Sequence, residues 1–417
     1  MECCRGKINN CYVTGTVLAN GCVGGLIGRV YGYGQVTGCH FHGVASNTGY
    51  ITTAGGIMGM FYGYDEGQCF MDGCYVTDST IGGGGRTGGL VGDVQNVKYV
   101  QNCYVERCNV SGREYNNGGL IGYIQFCSLV NNCYVKDSNI FGPSYTGGVI
   151  GDVCSTHTGD KITNCYGTGL TVSASGQYVG GFFGYGPMDI DNCYVEVESV
   201  SGSEYVGGFM GYRQGGGVKN SYAVVSGNVT GNRYVGGFCG YFSGSDFSNC
   251  HCETGDISAA SGGYCGGLVG AVWCNGIKNC YAKVGNVTGP VYTGGLVGYC
   301  SSSLTNSYVD GGLVSGVGYS IGGLVGENNN KTTNCYTTCT VEYNGTNPTP
   351  KTGMIFGNMC NSESGSCFTT QTPSGSIPLV GYGSDVTNCH SLPDGYDSVL
   401  NWSSKAWDLS KPLPTLN

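Results

Sequence analysis

The sequence predicts an all-β fold: a three-sided parallel β-helix, or β-solenoid, of about fourteen coils of about 29 residues each, closed by a C-terminal cap. Three observations predict it. An Asn-Cys-Tyr anchor recurs along the chain, at residues 10–12, 102–104, 132–134, 164–166, 192–194, 279–281 and 334–336. A glycine box recurs between these anchors, as in Gly24-Gly25-Leu26-Ile27-Gly28 and Gly180-Gly181-Phe182-Phe183-Gly184. Successive anchors lie roughly 27 to 33 residues apart, which suits one coil built of three short strands and their turns.

Composition supports this reading over several globular domains. Glycine contributes 80 of 417 residues and tyrosine 32, while charged residues reach only 11%, too few to solvate several separate surfaces. The 40% of apolar residues recur at a regular period, which a disordered chain does not need. A net charge of −9 without a basic run argues against nucleic-acid binding. No apolar run approaches the roughly eighteen residues of a membrane helix, and Met1-Glu2-Cys3-Cys4 does not resemble a signal peptide. The repeats begin at once, so the chain reads as a segment of a longer protein or as a mature form.

Each position of the anchor has a physical reading. Asn gives way to Gly at 38 and 73, and these two residues most readily adopt a left-handed backbone. Stacked corners of this kind would align Asn102, Asn132, Asn164, Asn192, Asn220, Asn249, Asn279, Asn306 and Asn334 in an amide ladder. The next position is Cys, or Ser at 221 and 307, so it takes a small side chain. Val often follows two residues on, as at 105, 135 and 195, sharing the inward face of a short strand with the Cys. A second strand is expected around Val110-Ser111-Gly112 and Val229-Thr230-Gly231, and a third at the glycine box, often opened by Tyr (Tyr178, Tyr205, Tyr234, Tyr264, Tyr292).

The box carries two adjacent apolar residues, such as Leu296-Val297. Either the strand bends there or both of its faces are covered, and a covered outer face would imply lateral packing. Coils about 4.8 Å apart would make a rod of roughly 65 Å. Variable segments, the longest at 62–72 and 154–163, would project from one edge. The period holds over residues 1–357. Residues 358–417, with Pro378, Pro393, Pro412, Pro414, Trp402 and Trp407, form degenerate terminal coils and the cap that protects an open edge.

Cysteines at the anchor are expected as reduced interior thiols. Off that column, Cys127 with Cys154, Cys274 with Cys300, and Cys239 with Cys265 lie in consecutive coils. They are expected as inter-coil disulfides, which would favour an oxidising, extracellular location.

Tyr185, Tyr212 and Tyr241 follow glycine boxes in consecutive coils. They form either a ladder exposed to stack on sugar rings or a ladder that braces neighbouring coils. Carboxylates occur at Asp189, Asp191, Glu196 and Glu198, and Asp93 and Asp152 share the position after the box. A polysaccharide-cleaving pair would need such groups about 5 to 10 Å apart, but the charges fall at alternating, outward positions, and a solvated rim explains them without chemistry. No His-Glu-x-x-His motif is present, and the five histidines (His40, His42, His157, His251, His390) supply no ligand set at an established spacing. No cofactor or metal is expected, and no catalytic residue is assigned.

Repeated Gly-Gly-Leu-Val-Gly, at 88–92, 266–270, 294–298 and 322–326, resembles the GLUG repeat of bacterial surface proteins over about residues 10–357, and the segment 402–416 resembles the ending of such repeat regions. The resemblance implies a secreted or surface-attached protein, akin to adhesins similar to filamentous haemagglutinins or to the non-catalytic region of some immunoglobulin-A-specific metallopeptidases. The expected function is therefore a non-enzymatic extracellular or cell-surface adhesin or stalk, with host or matrix glycans or proteins as partners. A self-assembling fibre subunit, associating end to end or laterally, and a polysaccharide-binding or polysaccharide-cleaving β-helix remain alternatives.

Overall fold

The computed structural model describes residues 2–49, 52–64, 68–360, 364–372, 377–383, 388–396, 400, 402–411 and 413–416. The described residues contain no α-helix, and their strands stack in parallel as a β-solenoid. The chain forms two compact units, Met1–Ser203 with Phe209–Gly217, and Glu204–Gly208 with Val218–Asn417. Among the described residues each unit holds six of the short strands that open a glycine box, from Val23–Gly24 to Val179–Gly180 in the first and from Glu204–Gly207 to Lys351–Gly353 in the second. That gives about twelve turns, against about fourteen from a count that included the degenerate anchors beyond the last box.

The box is a bend. Gly88 ends one strand, Gly89 and Leu90 turn the chain, and Val91 opens the next. Leu90 and Val91 are both fully buried, as are Leu120 with Ile121 and Leu296 with Val297. The bend therefore explains two adjacent apolar residues without a covered outer face. All three glycines of the 88–92 box are sterically required. A Cβ on Gly88 would lie 2.0 Å from the Val91 carbonyl oxygen, one on Gly89 2.0 Å from that of Gly119 in the next coil, and one on Gly92 2.7 Å from that of Gly59 in the preceding coil. The same clash between consecutive coils recurs at Gly119, Gly148, Gly267 and Gly295.

Turns carry more strand than the three segments read from sequence. Val91–Gln101, for example, includes a stretch between box and Asn corner that buries Val97 and Val100. That stretch varies in length from coil to coil, which hides it from a period search. Of the two longest variable segments, 62–72 includes residues 65–67, which lie outside those described.

The anchor forms a left-handed corner with φ of 48–56° at Asn10, Asn102, Asn132, Asn164, Asn192, Asn220, Asn249, Asn279, Asn306 and Asn334. Amide hydrogen bonds join Asn132 to Asn102 and Asn192 to Asn164 at 2.7 Å in the first unit. In the second, Asn249, Asn279, Asn306 and Asn334 each donate to the preceding Asn at 3.0–3.2 Å. One rung differs, because Asn164 donates to Asn131.

The residue after each corner does more than fit. Cys103 Sγ donates to the Gln101 carbonyl two residues back, and Ser221 and Ser307 make the same bond to Lys219 and Thr305. The same atom also accepts from the coil before it, as Cys74 N–H donates to Cys103 Sγ and Cys280 N–H to Ser307 Oγ. Cys and Ser exchange because both are small and both donate. A second corner repeats the device where sequence reading did not see it: Asp78, Arg107 and Asp137 have positive φ, and Ser79, Cys108 and Ser138 cap the carbonyls two residues back.

Parallel pairing continues past residue 357, with Cys367–Thr369 against Thr332–Thr337 and then against Cys389–Ser391. The tail packs on the outside of the coils. Trp402 and Trp407 bury Tyr308, Tyr336 and Phe368, Trp402 Nε1 donates to the Ser366 carbonyl, and the Tyr336 hydroxyl donates to that of Pro414.

Cys133→Ser is expected to leave the denaturation midpoint nearly unchanged. Cys133→Val, which removes the donor and adds volume, is expected to cost about 1–3 kcal/mol. Equal midpoints for the two variants in urea unfolding would contradict this role.

A candidate binding strip along the glycine bend

Two sets of aromatic rows run along the outside of the coils. The first is formed by the Tyr of the anchor, which points outward because the preceding Cys points in. In the first unit Tyr12, His40, Tyr75, Tyr104, Tyr134, Tyr166 and Tyr194 stack at 4.0–5.0 Å. In the second, Tyr222, His251, Tyr281, Tyr308, Tyr336 and Phe368 stack at 4.5–5.1 Å. His40 and His251 are thus rungs of a ring stack. Sequence reading recognised the motif but not this row, although alternation from the inward Cys carries the signal.

The second set flanks the glycine bend. In the first unit Tyr185 and Tyr212 stack at 5.2 Å, and Tyr178 meets both edge-on at 5.2 and 5.5 Å. Tyr241 belongs to the second unit, where it stacks on Trp273 and Trp273 on Tyr299, at 5.1 and 4.8 Å. A parallel row of Tyr205, Tyr234, Tyr264 and Tyr292, 4.6–5.0 Å apart, meets them edge-on. Tyr185 and Tyr212 in the first unit, and Tyr241 in the second, are therefore each part of their own unit's double row.

Trp273 was not foreseen because it is two residues out of step. Ala271 holds the register position between Tyr241 and Tyr299, and the indole fills the space its small side chain leaves. Tyr145, Tyr178, Tyr205 and Tyr234 have φ of 51–64°, a conformation costing a bulky residue about 1 kcal/mol or more. That cost is met repeatedly at the position that sets the edge-on rings.

Two carboxylates lie in the first unit's strip. Asp93 is 1% exposed, pairs with Arg86 at 2.5 Å and accepts from Gln95. The Arg86 guanidinium carbon lies 3.7 Å from the Tyr123 ring centroid. A cavity of about 450 Å³ opens beside this pair, lined by Glu114 and Tyr115 among others. Burial pushes the Asp93 carboxyl up while Arg86 and Gln95 oppose it. Burial pushes Asp152 up to about 7. The acidic coil is different. Asp189 and Asp191 flank buried Ile190 on the solvent side, and Asp189 accepts from the Gly217 N–H at 2.6 Å. Glu196 and Glu198 are also exposed, Glu198 accepting from Thr171.

The expected disulfides are corrected by the register. Cys127, Cys154, Cys239, Cys265, Cys274 and Cys300 are all free thiols. Cys239 is partnered by Val269, and Cys265 lies across the bend opposite Val235 and Thr293. Cys300 stands opposite Val272, two residues short of Cys274. Cys127 is buried, whereas Cys154 is exposed at an irregularity where Ile124 and Gln125 pair with Val153 and Ser155. Three column thiols, Cys103, Cys133 and Cys280, are pushed well above the ordinary value by burial, which makes these three unreactive.

The family model described as the GLUG motif matches residues 19–48, so the chain carries a GLUG repeat. No curated protein matches it. Among solved structures, a "putative immunoglobulin A1 protease" from Bacteroides ovatus aligns with a TM-score of 0.36 and 18% identity, over 74% of this chain and 86% of that one. Among the described residues no helix is long and apolar enough to cross a membrane.

Two outcomes are expected. Without reductant, Cys154 is alkylated rapidly in the native protein, whereas Cys127, Cys239, Cys265 and Cys300 react only after unfolding; peptide mapping that finds disulfides among them would contradict the register. The folded state also holds a proton on Asp152 that the unfolded chain releases near pH 4. Stability is therefore expected to fall by a few kcal/mol as pH rises from about 4 to about 7, and urea titrations of Asp152→Asn should lack that slope.

Proposed function

We propose that the chain is a non-enzymatic solenoid of the cell surface or extracellular space, acting as an adhesin or stalk, and that its glycine-bend strip binds glycans. One observation carries this reading: Tyr185 and Tyr212, and Tyr241, Trp273 and Tyr299, are half-buried rings stacked in rows with part of their surface open to solvent. The C–H faces of sugar rings are apolar, and stacking them on aromatic rings removes apolar area from water on both sides. The edge-on partners fix the ring planes beforehand, which lowers the ordering cost of binding. Host or matrix glycans are the ligands that fit this surface.

Two other readings gain less support. Lateral fibre assembly was motivated by the doubly apolar box, and both of those side chains face the core. Polysaccharide cleavage by Asp189 and Asp191 requires a site, and their carboxylates are on a solvated strand face. Product release from polysaccharide that disappears in Asp189→Asn would restore that reading.

On a glycan array the protein is expected to be retained on a subset of neutral glycans. The double variant Tyr185→Ala, Tyr212→Ala is expected to lose retention in the first unit's strip while keeping its β-sheet circular dichroism. Retention unchanged by this variant and by Trp273→Ala, or no retention of the unaltered protein, would refute the reading.

A further inference from the structure

Asp152 occupies a niche walled by three tyrosines. Its strand neighbours in register are Tyr123 on one side and Tyr185 on the other, each about 4.8 Å away along the stack. Tyr145, seven residues earlier and across the bend, meets Tyr185 edge-on at 5.5 Å. Burial, and then the Asp152 charge among the charges nearby, raise the pKa of both Tyr145 and Tyr185. The carboxylate is 7% exposed, and its buried Oδ1 has no hydrogen-bond partner.

Two coils earlier the same arrangement contains its own cation. Asp93 stands in the same column, separated from Asp152 by Tyr123. Arg86, seven residues before Asp93, pairs with it and lies over the Tyr123 ring. The register aligns Thr87 with Asn117 and Asn117 with Thr146, so Tyr145 stands two coils on from Arg86. At Asp152 the chain keeps the carboxylate and the ring walls but supplies an aromatic where Asp93 has an arginine.

We infer that Asp152, with Tyr123, Tyr145 and Tyr185, forms a binding site for a basic side chain of a partner polypeptide, an arginine, which takes the role at Asp152 that Arg86 takes at Asp93. Ring faces attract cations, and a planar guanidinium both stacks on tyrosine and pairs with a carboxylate. Arg86 is committed to Asp93, and its field does not offset the burial of Asp152. The net charge of −9 favours approach of a basic partner. The in-chain precedent is a guanidinium, which selects a polypeptide over an amino sugar. The site shares Tyr185 with the proposed glycan strip, but a neutral glycan needs no carboxylate and an arginine does, so either reading can fail alone.

The test is titration of Nα-acetyl-arginine methylamide into the full chain by calorimetry, at about pH 8.5 and about pH 5.5. The charged and titratable groups facing Asp152 are Arg86, Tyr123, Tyr145, Tyr185 and Cys154. Arginine stays charged throughout, so binding should be saturable at the higher pH and about tenfold or more weaker at the lower. Asp152→Asn should abolish it while keeping the β-sheet circular dichroism of the unaltered protein. As a second measurement on the unaltered protein, carbon NMR of the Asp152 carboxyl should show its titration moving to lower pH when the probe is present. The proposal is overturned by no saturable binding at the higher pH, by equal affinity in Asp152→Asn, or by a carboxyl titration that the probe does not move. Glucosamine binding without arginine-amide binding would overturn the polypeptide assignment.

Discussion

Everything outside the core of this molecule depends on how closely consecutive coils approach at the glycine bend. A Cβ on the second glycine would sit 1.9–2.0 Å from a backbone oxygen of the next coil at Gly89, Gly119, Gly267 and Gly295. No side-chain adjustment relieves a clash with backbone. With the bend pinned, the residues before and after it hold the same place in every turn, and their outward side chains fall into rows. The double aromatic strip and the Asp93 and Asp152 niches are consequences of that pinning.

The two left-handed corners act differently. They hold the coils together through polar groups: the Asn amides bond along the outside, and the Cys or Ser behind each corner links its own turn to the one before. A buried thiol with both a donor and an acceptor role leaves no unpaired carbonyl at the corner. This accounts for so many cysteines in a chain whose described cysteines are free thiols.

The repeat was legible because its requirements are strict and local. Glycine fills the box in every turn but the last, where Met354 takes the second position, and Asn or Gly best fits the first corner. The second corner was hidden because Arg107 interrupts the Asp of Asp78 and Asp137, so no one residue type marks it. The aromatic strip was half legible: Tyr185 and Tyr212 follow their boxes at a constant offset, whereas Trp273 is displaced by two residues and depends on Ala271 being small. The disulfide expectation failed for a related reason, since coils of unequal length make sequence offset a poor guide to register, and two residues separate Cys300's partner from Cys274. The niche of Asp152 was not legible, because the column that holds it takes acids and tyrosines alike and only burial distinguishes them.

The Trp402 and Trp407 tail has a bearing on how such a chain grows. Within each unit a turn pairs its strands with those of the turns beside it, so a duplicated turn finds the same pairing edges on both sides. The tail is the exception, because it is fitted to three particular rungs, Tyr308, Tyr336 and Phe368. Lengthening by gene duplication is therefore free in the interior of the array but constrained at this end, where those three rungs and the tail must be inherited as a block.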